Sequence, residues 1–193
     1  MRTFLLVVGA LGLWITPLYA ADVGVGGKKL IIQDKLLISS RARVVFVSTY
    51  NSPVTKGTGT DPGDIDAQFD VSYVDDPASG SLVIPAGANW LVNNARIAKY
   101  VNKEAPLGSG TKIAIIKPDG KLKLSAKSLG DTPIDILGAG SPGPGGVLTV
   151  FTVTNGAETN RHCTLFTSCI YKSLFGGMGA QLTCRNGTAA GCP

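Results

Sequence analysis

The four cysteines of this 193-residue chain all lie in its last 31 residues, and their placement limits what the chain can fold into more than any other feature. Cys163, Cys169, Cys184 and Cys192 are an even set, and four cysteines allow three disulfide pairings. In a chain that reaches an oxidising compartment, such a set forms disulfides. The fold of residues 161–193 must therefore decide which cysteines pair.

Strand register favours one of the three pairings. The Gly-Gly pair at 176–177 is a natural hairpin tip, and Cys169 and Cys184 lie at equal distances on either side of it. Cys163 and Cys192 are almost equally spaced about the same tip, and a small bulge before Cys192 would absorb the difference. Cys163 and Cys169 are six residues apart and so would face the same side of one strand. We predict nested bridges, Cys169–Cys184 inside and Cys163–Cys192 outside.

Metal binding and catalysis fit the spacing of this tail less well. Zinc and redox sites use pairs such as Cys-x-x-Cys, whereas five, fourteen and seven residues separate the cysteines here. His162, the only histidine, is next to Cys163, and adjacent strand residues point to opposite faces. We therefore predict no catalytic residue and no bound cofactor, and we expect His162 at the surface or on a sheet face.

The first twenty residues have the three parts of a secretory signal peptide. Arg2 is followed by an uncharged apolar run at residues 4–15, and Ala20 supplies the small residue at the cleavage position. The run is shorter than the roughly 20 apolar residues of a membrane span. We predict that residues 1–20 are a cleaved signal peptide and that no later segment spans a membrane. Residues 21–193 would then form one β-rich domain in the periplasm or outside the cell.

Strand patterns account for most of the remaining chain. Only 16% of residues are charged and the chain holds 25 glycines and 11 prolines, a composition typical of strands joined by turns. Residues 67–74 alternate between apolar and polar, and residues 112–127 predict a hairpin around Pro-Asp-Gly at 118–120. Residues 93–102 suit either a helical turn or a strand. We predict an all-β fold: a single-domain β-sandwich, or a partly open barrel, with a disulfide-stapled C-terminal hairpin.

The charge pattern argues against a nucleic-acid partner. The formal net charge is +5, but the basic residues occur singly or in pairs and no dense basic cluster is interleaved with aromatic residues. Lysines within strands, such as Lys121 and Lys123, are expected to protect a solvated face or a sheet edge.

Three carboxylates in one loop define the only metal hypothesis. Asp61, Asp64 and Asp66 lie close together in the sequence, and calcium prefers clustered oxygen ligands on flexible loops. Their spacing does not match the twelve-residue helix–loop–helix site. The alternative is that Asp61 and Asp64 form ordinary Asx turns.

Trp90 and Tyr100 are the aromatic candidates for ligand contact. Aromatic rings stack on sugars in lectin-like sites. A tryptophan after such a turn more often closes one end of a β-sandwich, and this second interpretation is the one we favour.

Several short motifs lie along residues 26–193. They are GGKKLII at 26–32, RVVFVS at 43–48, IPA at 84–86 with Trp90, KY at 99–100, IKP at 116–118 with KL at 121–122, and RHCTLF at 161–166 with Cys192. Together they resemble β-rich modules, with no assigned activity, that occur singly or as repeats in secreted proteins of environmental bacteria. The resemblance implies a β-rich fold, export and the outer disulfide, with no catalytic residue. Such modules often carry a cysteine pair across the central hairpin, which residues 112–127 lack.

These observations predict a non-catalytic exported module that binds a cell-surface component or a glycan, or that serves as a structural unit. Two alternatives remain open. One is a small secreted hydrolase that uses a pair of carboxylates, although the sequence singles out no pair. The other is a surface subunit that assembles through an exposed strand edge.

Overall fold

The computed structural model describes residues 20–34, 43–93, 97–102, 111–127, 134 and 136–193. The predicted signal peptide lies outside these residues apart from Ala20. Within the described ranges, no helix is long and apolar enough to cross a membrane.

Thirteen strands and two short 3₁₀ turns make up the regular structure of the described residues. The 3₁₀ turns cover Leu137–Ala139 and Phe175–Gly177. The strands are β1 (Ala20–Gly24), β2 (Gly27–Asp34), β3 (Arg43–Ser48), β4 (Ile65–Tyr73), β5 (Ser79–Ile84), β6 (Trp90–Asn93), β7 (Ile97–Val101), β8 (Thr111–Lys117), β9 (Lys121–Lys127), β10 (Val147–Asn155), β11 (Glu158–Phe166), β12 (Ser168–Ser173) and β13 (Ala180–Ala189).

These strands form one continuous sheet that curls into a half-barrel. The strand order is β5-β4-β10-β11-β13-β2-β3-β9-β8-β7-β6, with β12 beside β13 and β1 beside β11. The strand pairs are antiparallel except for β1 with β11. The all-β prediction is confirmed, in its partly open form. Within the ambiguous range 93–102, Asn93 ends β6 and Ile97–Val101 form β7, and residues 94–96 lie outside the described residues.

The inner face of the half-barrel is apolar because buried side chains recur at every second strand position. In β4, the predicted alternation places Ile65, Ala67, Phe69, Val71 and Tyr73 inside. The residues between them face outward and are exposed or half-buried. A shift of one residue in pairing would therefore expose the whole apolar set.

Phe46 joins the two halves of the curled sheet. Its ring centroid lies 5.3 Å from that of Phe69 on β4 and 6.3 Å from that of Phe166 on β11. Phe69 in turn lies 6.1 Å from Phe151 on β10. All four rings are buried, so this aromatic cluster is the centre of the core.

A pair of glycines lets β13 change its pairing partner. Gly27 at the start of β2 pairs with Gly187 in β13, and a Cβ at either position would overlap Phe166 and Thr164. Glycine permits this close approach because it has no side chain. As a result, β13 pairs with β2 along most of its length, and its last two residues pair with β11.

Both disulfides pair as predicted. Cys169 and Cys184 are direct partners on β12 and β13, with Cα atoms 4.0 Å apart. Cys163 on β11 is bonded to Cys192, with Cα atoms 5.4 Å apart. The premise that Cys163 and Cys169 share one strand was wrong, because β11 ends and β12 begins between them. The stapled C-terminal unit thus contains three strands rather than two.

One irregular segment packs inside the half-barrel. Residues 52–59, which we call the strap, follow β3, and Val54 and Lys56 within it are buried. The amide of Ser52 donates to the carbonyl of Gly120, and the Val54 carbonyl accepts from an amide in the same β8–β9 turn. Residues 51–64 are rich in polar residues, glycine and proline, a composition typical of an exposed loop. Ser52, Val54 and Lys56 are nevertheless buried, because side chains of β10 and β11 satisfy the backbone of the strap, as described below.

Candidate functional site

Polar side chains of β11 face the interior beneath the strap. Glu158, Asn160, His162 and Thr164 lie at alternate positions, and the last three are buried. His162 does lie on a sheet face, but it is the inner one, so the expectation of a surface position was wrong. It is only 1% exposed. The reason is that the strap lies over this part of β11, where Thr55 bonds to His162 and Thr58 bonds to Glu158 in place of water.

Both ring nitrogens of His162 are engaged. The Thr55 amide donates to Nε2 at 3.0 Å, and Nδ1–H donates to the carbonyl of Phe151 at 3.1 Å. Burial lowers the pKa of His162, and the bond to the Phe151 carbonyl acts in the opposite direction. A proton added at Nε2 would point at the Thr55 amide hydrogen and break that bond. The neutral ring therefore holds the strap against β10 and has no nitrogen left for proton transfer.

We expect the free energy of unfolding to fall as the pH falls below about 6.5, the histidine pKa of an unfolded chain. Above that pH, His162 is neutral in both states and its contribution is complete. Because burial lowers the folded-state pKa, the unfolded chain binds the proton first, and stability is lost as the pH drops through the folded pKa. Urea unfolding of the wild type and of His162→Gln at pH 7 and pH 5 measures this. The stability difference between the two should shrink at pH 5, and parallel pH profiles would contradict the assignment.

Lys56 and Asn155 hold the far end of the strap. Lys56 Nζ donates to the carbonyls of Gly57 and Gly59 at 3.3 and 2.9 Å. Asn155 Nδ2 donates to the carbonyls of Lys56 and Gly59 at 2.9 and 3.0 Å. Burial lowers the pKa of Lys56, while the charge of Glu158 raises it. These polar groups satisfy the backbone of the strap, so the cluster fits a structural role better than a catalytic one.

The three calcium candidates do not converge. Asp61 Oδ1 accepts the amide of Gly63 at 2.7 Å, and the Asp64 amide donates to the Asp61 carbonyl at 3.2 Å. This is the Asx turn that the sequence offered as the alternative. Asp66 lies on β4, exposed, opposite Thr154 on β10. Among the residues that the structure describes, no three histidine, cysteine or acidic side chains are grouped to hold a metal ion.

Trp90 and Tyr100 are inside the core, so neither ring presents a face to a ligand. They are 1% and 2% exposed, and their ring centroids lie 5.3 Å apart as partners on β6 and β7. The indole nitrogen of Trp90 donates to the Pro85 carbonyl at 3.0 Å. This burial agrees with the favoured interpretation, in which Trp90 packs in the core, and it leaves neither ring free to stack on a sugar.

On the outer face of the sheet, one row of cross-strand partners alternates between basic and aliphatic side chains. It crosses seven strands from β13 to β6, because each residue is the register partner of the next. All of its side chains are exposed or half-buried. In order across the sheet, this basic row consists of Arg185, Lys29, Val47, Lys123, Ile115, Lys99 and Leu91.

Two further rows extend this surface, and the three rows together are called the basic face. The middle row is uncharged, and one of its residues, Ile31, is buried. The outer row adds two basic side chains. None of the described members of the three rows is acidic. The middle row contains Ile170, Thr183, Ile31, Val45, Ser125, Ile113 and Val101, and the outer row contains Lys172, Gln181, Gln33 and Arg43.

A groove of about 470 Å³ lies at the β12 end of the basic face. Its charged lining residues are Lys29, Lys172 and Arg185, and Ser168 and Thr183 add hydroxyl groups. None of its described lining residues is a carboxylate. Ammonium, guanidinium and hydroxyl donors are the groups that bind carboxylate, sulfate and phosphate anions in proteins. The groove therefore has the chemistry of an anion site.

Two positive charges face each other at this groove. Arg185 and Lys29 are direct partners on β13 and β2, a geometry that places Cβ atoms about 5 Å apart and is destabilising for like charges. Within the described residues the only ion pair, Arg161 with Asp22 at 2.6 Å, is on β11 and β1. A bound anion between Arg185 and Lys29 would replace their repulsion with attraction.

Acidic side chains concentrate on the other half of the sheet and its loops. In the described ranges, only Asp34 at the end of β2 and Asp119 in the β8–β9 turn lie near the basic half. Among the described residues, the basic row and most acidic side chains thus lie on different halves of the sheet. The remaining acidic residues of those ranges are Asp22, Asp61, Asp64, Asp66, Asp70, Asp75, Asp76 and Glu158.

The fold and this surface define an all-β half-barrel with two disulfides and a cationic outer face. Comparison of the chain with known protein families, with curated proteins and with solved structures gives no match.

Proposed function

We propose that the protein is a non-catalytic module of the extracellular or periplasmic space that binds anionic surface polymers through its basic face. The observation that carries the proposal is the basic row, in which four cations share one sheet face without an acidic neighbour among the described residues. Charges of one sign on a surface raise the local concentration of oppositely charged partners and speed their association.

The surrounding geometry also favours binding over hydrolysis. Two further grooves on the described surface each contain one carboxylate, Asp34 in one and Asp66 in the other. Glycoside hydrolysis by carboxylates requires a pair about 5–10 Å apart. The interior polar residues, including His162 and Lys56, hold the strap. The basic face is therefore a better candidate for function than any carboxylate described here.

The edges of the sheet are poorly suited to self-assembly, so an assembling subunit is a weaker candidate than a polymer-binding module. The sheet ends at β5 and β6, which are six and four residues long, and β12, which pairs with β13 beside this path, has six residues. Lys172 lies within β12, and a lysine on an edge strand discourages pairing with another chain. We therefore place the interaction on the sheet face rather than on an edge.

We expect the exported protein to bind an immobilised polyanion, with an affinity that falls as salt is raised, because exposed charge contacts are screened. The double variant Lys29→Gln/Arg185→Gln should weaken binding about tenfold, since each exposed charge contact contributes roughly 0.2–1 kcal/mol. Biolayer interferometry on heparin and on neutral dextran at two salt concentrations measures this.

The matched control is Lys28→Gln, which removes one charge from the residue next to Lys29 but outside the basic row. It should change the affinity less than about twofold. The single variant Lys29→Gln is compared with it. If both single variants lose the same affinity for heparin, net charge alone accounts for binding. Binding to neutral dextran as tight as to heparin would refute the proposal.

A further inference from the structure

The lysines of the basic row are evenly spaced across the sheet. Lys29, Lys123 and Lys99 lie on β2, β9 and β7, and one strand separates each from the next. Neighbouring strands are about 4.8 Å apart, so these lysines repeat every ~10 Å across the sheet. The sheet hydrogen bonds hold this spacing, because each lysine Cα is tied to its register partner.

Aliphatic side chains occupy the positions between and beyond the lysines. Val47 lies between Lys29 and Lys123, and Ile115 lies between Lys123 and Lys99. Leu91 follows Lys99 and is 62% exposed. The surface therefore offers a cation, then an apolar contact, in strict alternation over six strands.

We propose that the basic row binds a linear polysaccharide that carries an acidic group on every second sugar and lies across the strands. The acidic groups would contact Lys29, Lys123 and Lys99. The apolar C–H face of each neutral sugar would lie on the aliphatic side chain between two lysines. This inference rests on the proposed function, because it names the class of anionic polymer that the same face takes.

Two physical points support this class of ligand. An extended disaccharide unit has a length comparable to two strand spacings, so acidic groups on alternate sugars meet successive lysines. A polymer with a charge on every sugar would instead place half of its charges over Val47 and Ile115. Placing an ion against an aliphatic side chain removes part of its hydration without a compensating contact.

The Arg185–Lys29 pair gives the row one distinct end. Two adjacent cations and the hydroxyl groups of Ser168 and Thr183 meet in the groove of about 470 Å³. This end can contact both oxygens of a carboxylate or sulfate. We therefore place the most strongly held acidic sugar there, with the chain running from the groove toward β6.

The test compares three oligosaccharides of equal length. Hyaluronan has a carboxylate on alternate sugars, polygalacturonate has one on every sugar, and dextran is neutral. Charge density alone predicts that polygalacturonate binds tightest. We expect the reverse, with hyaluronan bound at least about fivefold more tightly than polygalacturonate and dextran not bound, measured by isothermal titration calorimetry at about 0.1 M salt.

A charge-relocation variant tests whether the spacing of the lysines matters, because it leaves the net charge unchanged. Val47→Lys combined with Lys123→Val moves one cation by a single strand. We expect it to lose the preference for hyaluronan while it binds polygalacturonate within about twofold of the wild type. If it does not fold, as judged by thermal unfolding, Ile115→Lys combined with Lys123→Ile moves the cation the other way and serves the same purpose.

Each outcome separates the two proposals. If the wild-type protein binds polygalacturonate more tightly than hyaluronan, the proposed match between alternate acidic sugars and the lysine spacing is wrong. The polyanion-binding function would still stand. If the charge-relocation variant still prefers hyaluronan, the proposed match is also wrong. Binding to neither anionic polymer refutes the proposed function itself. Tighter binding to anionic phospholipid vesicles than to either polymer would refute the assignment to a polysaccharide.

Discussion

Replacing Phe46 with alanine is expected to lower the free energy of unfolding by about 3–5 kcal/mol, the usual loss for a buried phenylalanine. Phe46 is 1% exposed and its ring contacts Phe69 and Phe166, which lie on the opposite half of the curled sheet. The substitution would leave a cavity where the two halves meet. Urea unfolding followed by tryptophan fluorescence measures the loss.

The control for this experiment is Val45→Ala, one position away on the same strand. Val45 faces outward and is half-buried, so its truncation should cost less than about 1 kcal/mol. A comparable loss for the two variants would mean that Phe46 does not join the halves of the sheet as the structure places it. A changed denaturant slope would show that compactness had changed as well.

Removing the inner disulfide with Cys169→Ala/Cys184→Ala is expected to lower the free energy of unfolding by about 3 kcal/mol. The bridge closes a 15-residue separation, and in the chain-entropy model the loss reflects the greater freedom of the unfolded chain. The variant Cys163→Ala/Cys192→Ala should lower the free energy of unfolding by about 0.5 kcal/mol more, because the two cysteines of the outer bridge are 29 residues apart in the sequence. Urea unfolding of each double variant tests both values.

Reductant provides the internal control for the disulfide experiment. Wild-type protein with dithiothreitol should lose stability, whereas a variant that lacks both bridges should be unaffected by it. Mass spectrometry of the untreated protein should show no free thiol, since both pairs are bonded. A bridge variant as stable as the wild type would show that the unfolded chain is already restricted at that site.

Local patterns in the sequence were sufficient for the cysteine pairs and for the strands with clear alternation. Alternation over residues 67–74 predicted the inward positions of β4, and the Gly-Gly tip at 176–177 placed Cys169 opposite Cys184. Such signals depend on side-chain periodicity within a few residues, which the chain carries before it folds. The same reasoning wrongly placed Cys163 and Cys169 on one strand, because it had no means to locate the break between β11 and β12.

The positions of polar and aromatic residues were harder to predict. His162 alternates on a strand, and its neighbours do not reveal which face the strap will cover. Trp90 and Tyr100 have the composition of a sugar site, yet they pack on each other in the core. For His162 the deciding partner, Thr55, comes from a distant segment. Trp90 and Tyr100 pair locally, but their burial depends on where β6 and β7 lie in the sheet. Burial in both cases depends on the tertiary structure, and so the sequence pattern alone supports two interpretations.

By itself, the sequence determined which cysteines bond, where the β8–β9 hairpin turns and which side chains of β4 face inward, because these properties follow from local spacing. Only the tertiary structure decided that Lys29, Lys99 and Lys123 stand in one row with Val47 and Ile115 between them. Cross-strand neighbours are set by the order and register of the strands, which depend on packing across the whole sheet. A surface made from such neighbours has no counterpart in any short stretch of the chain.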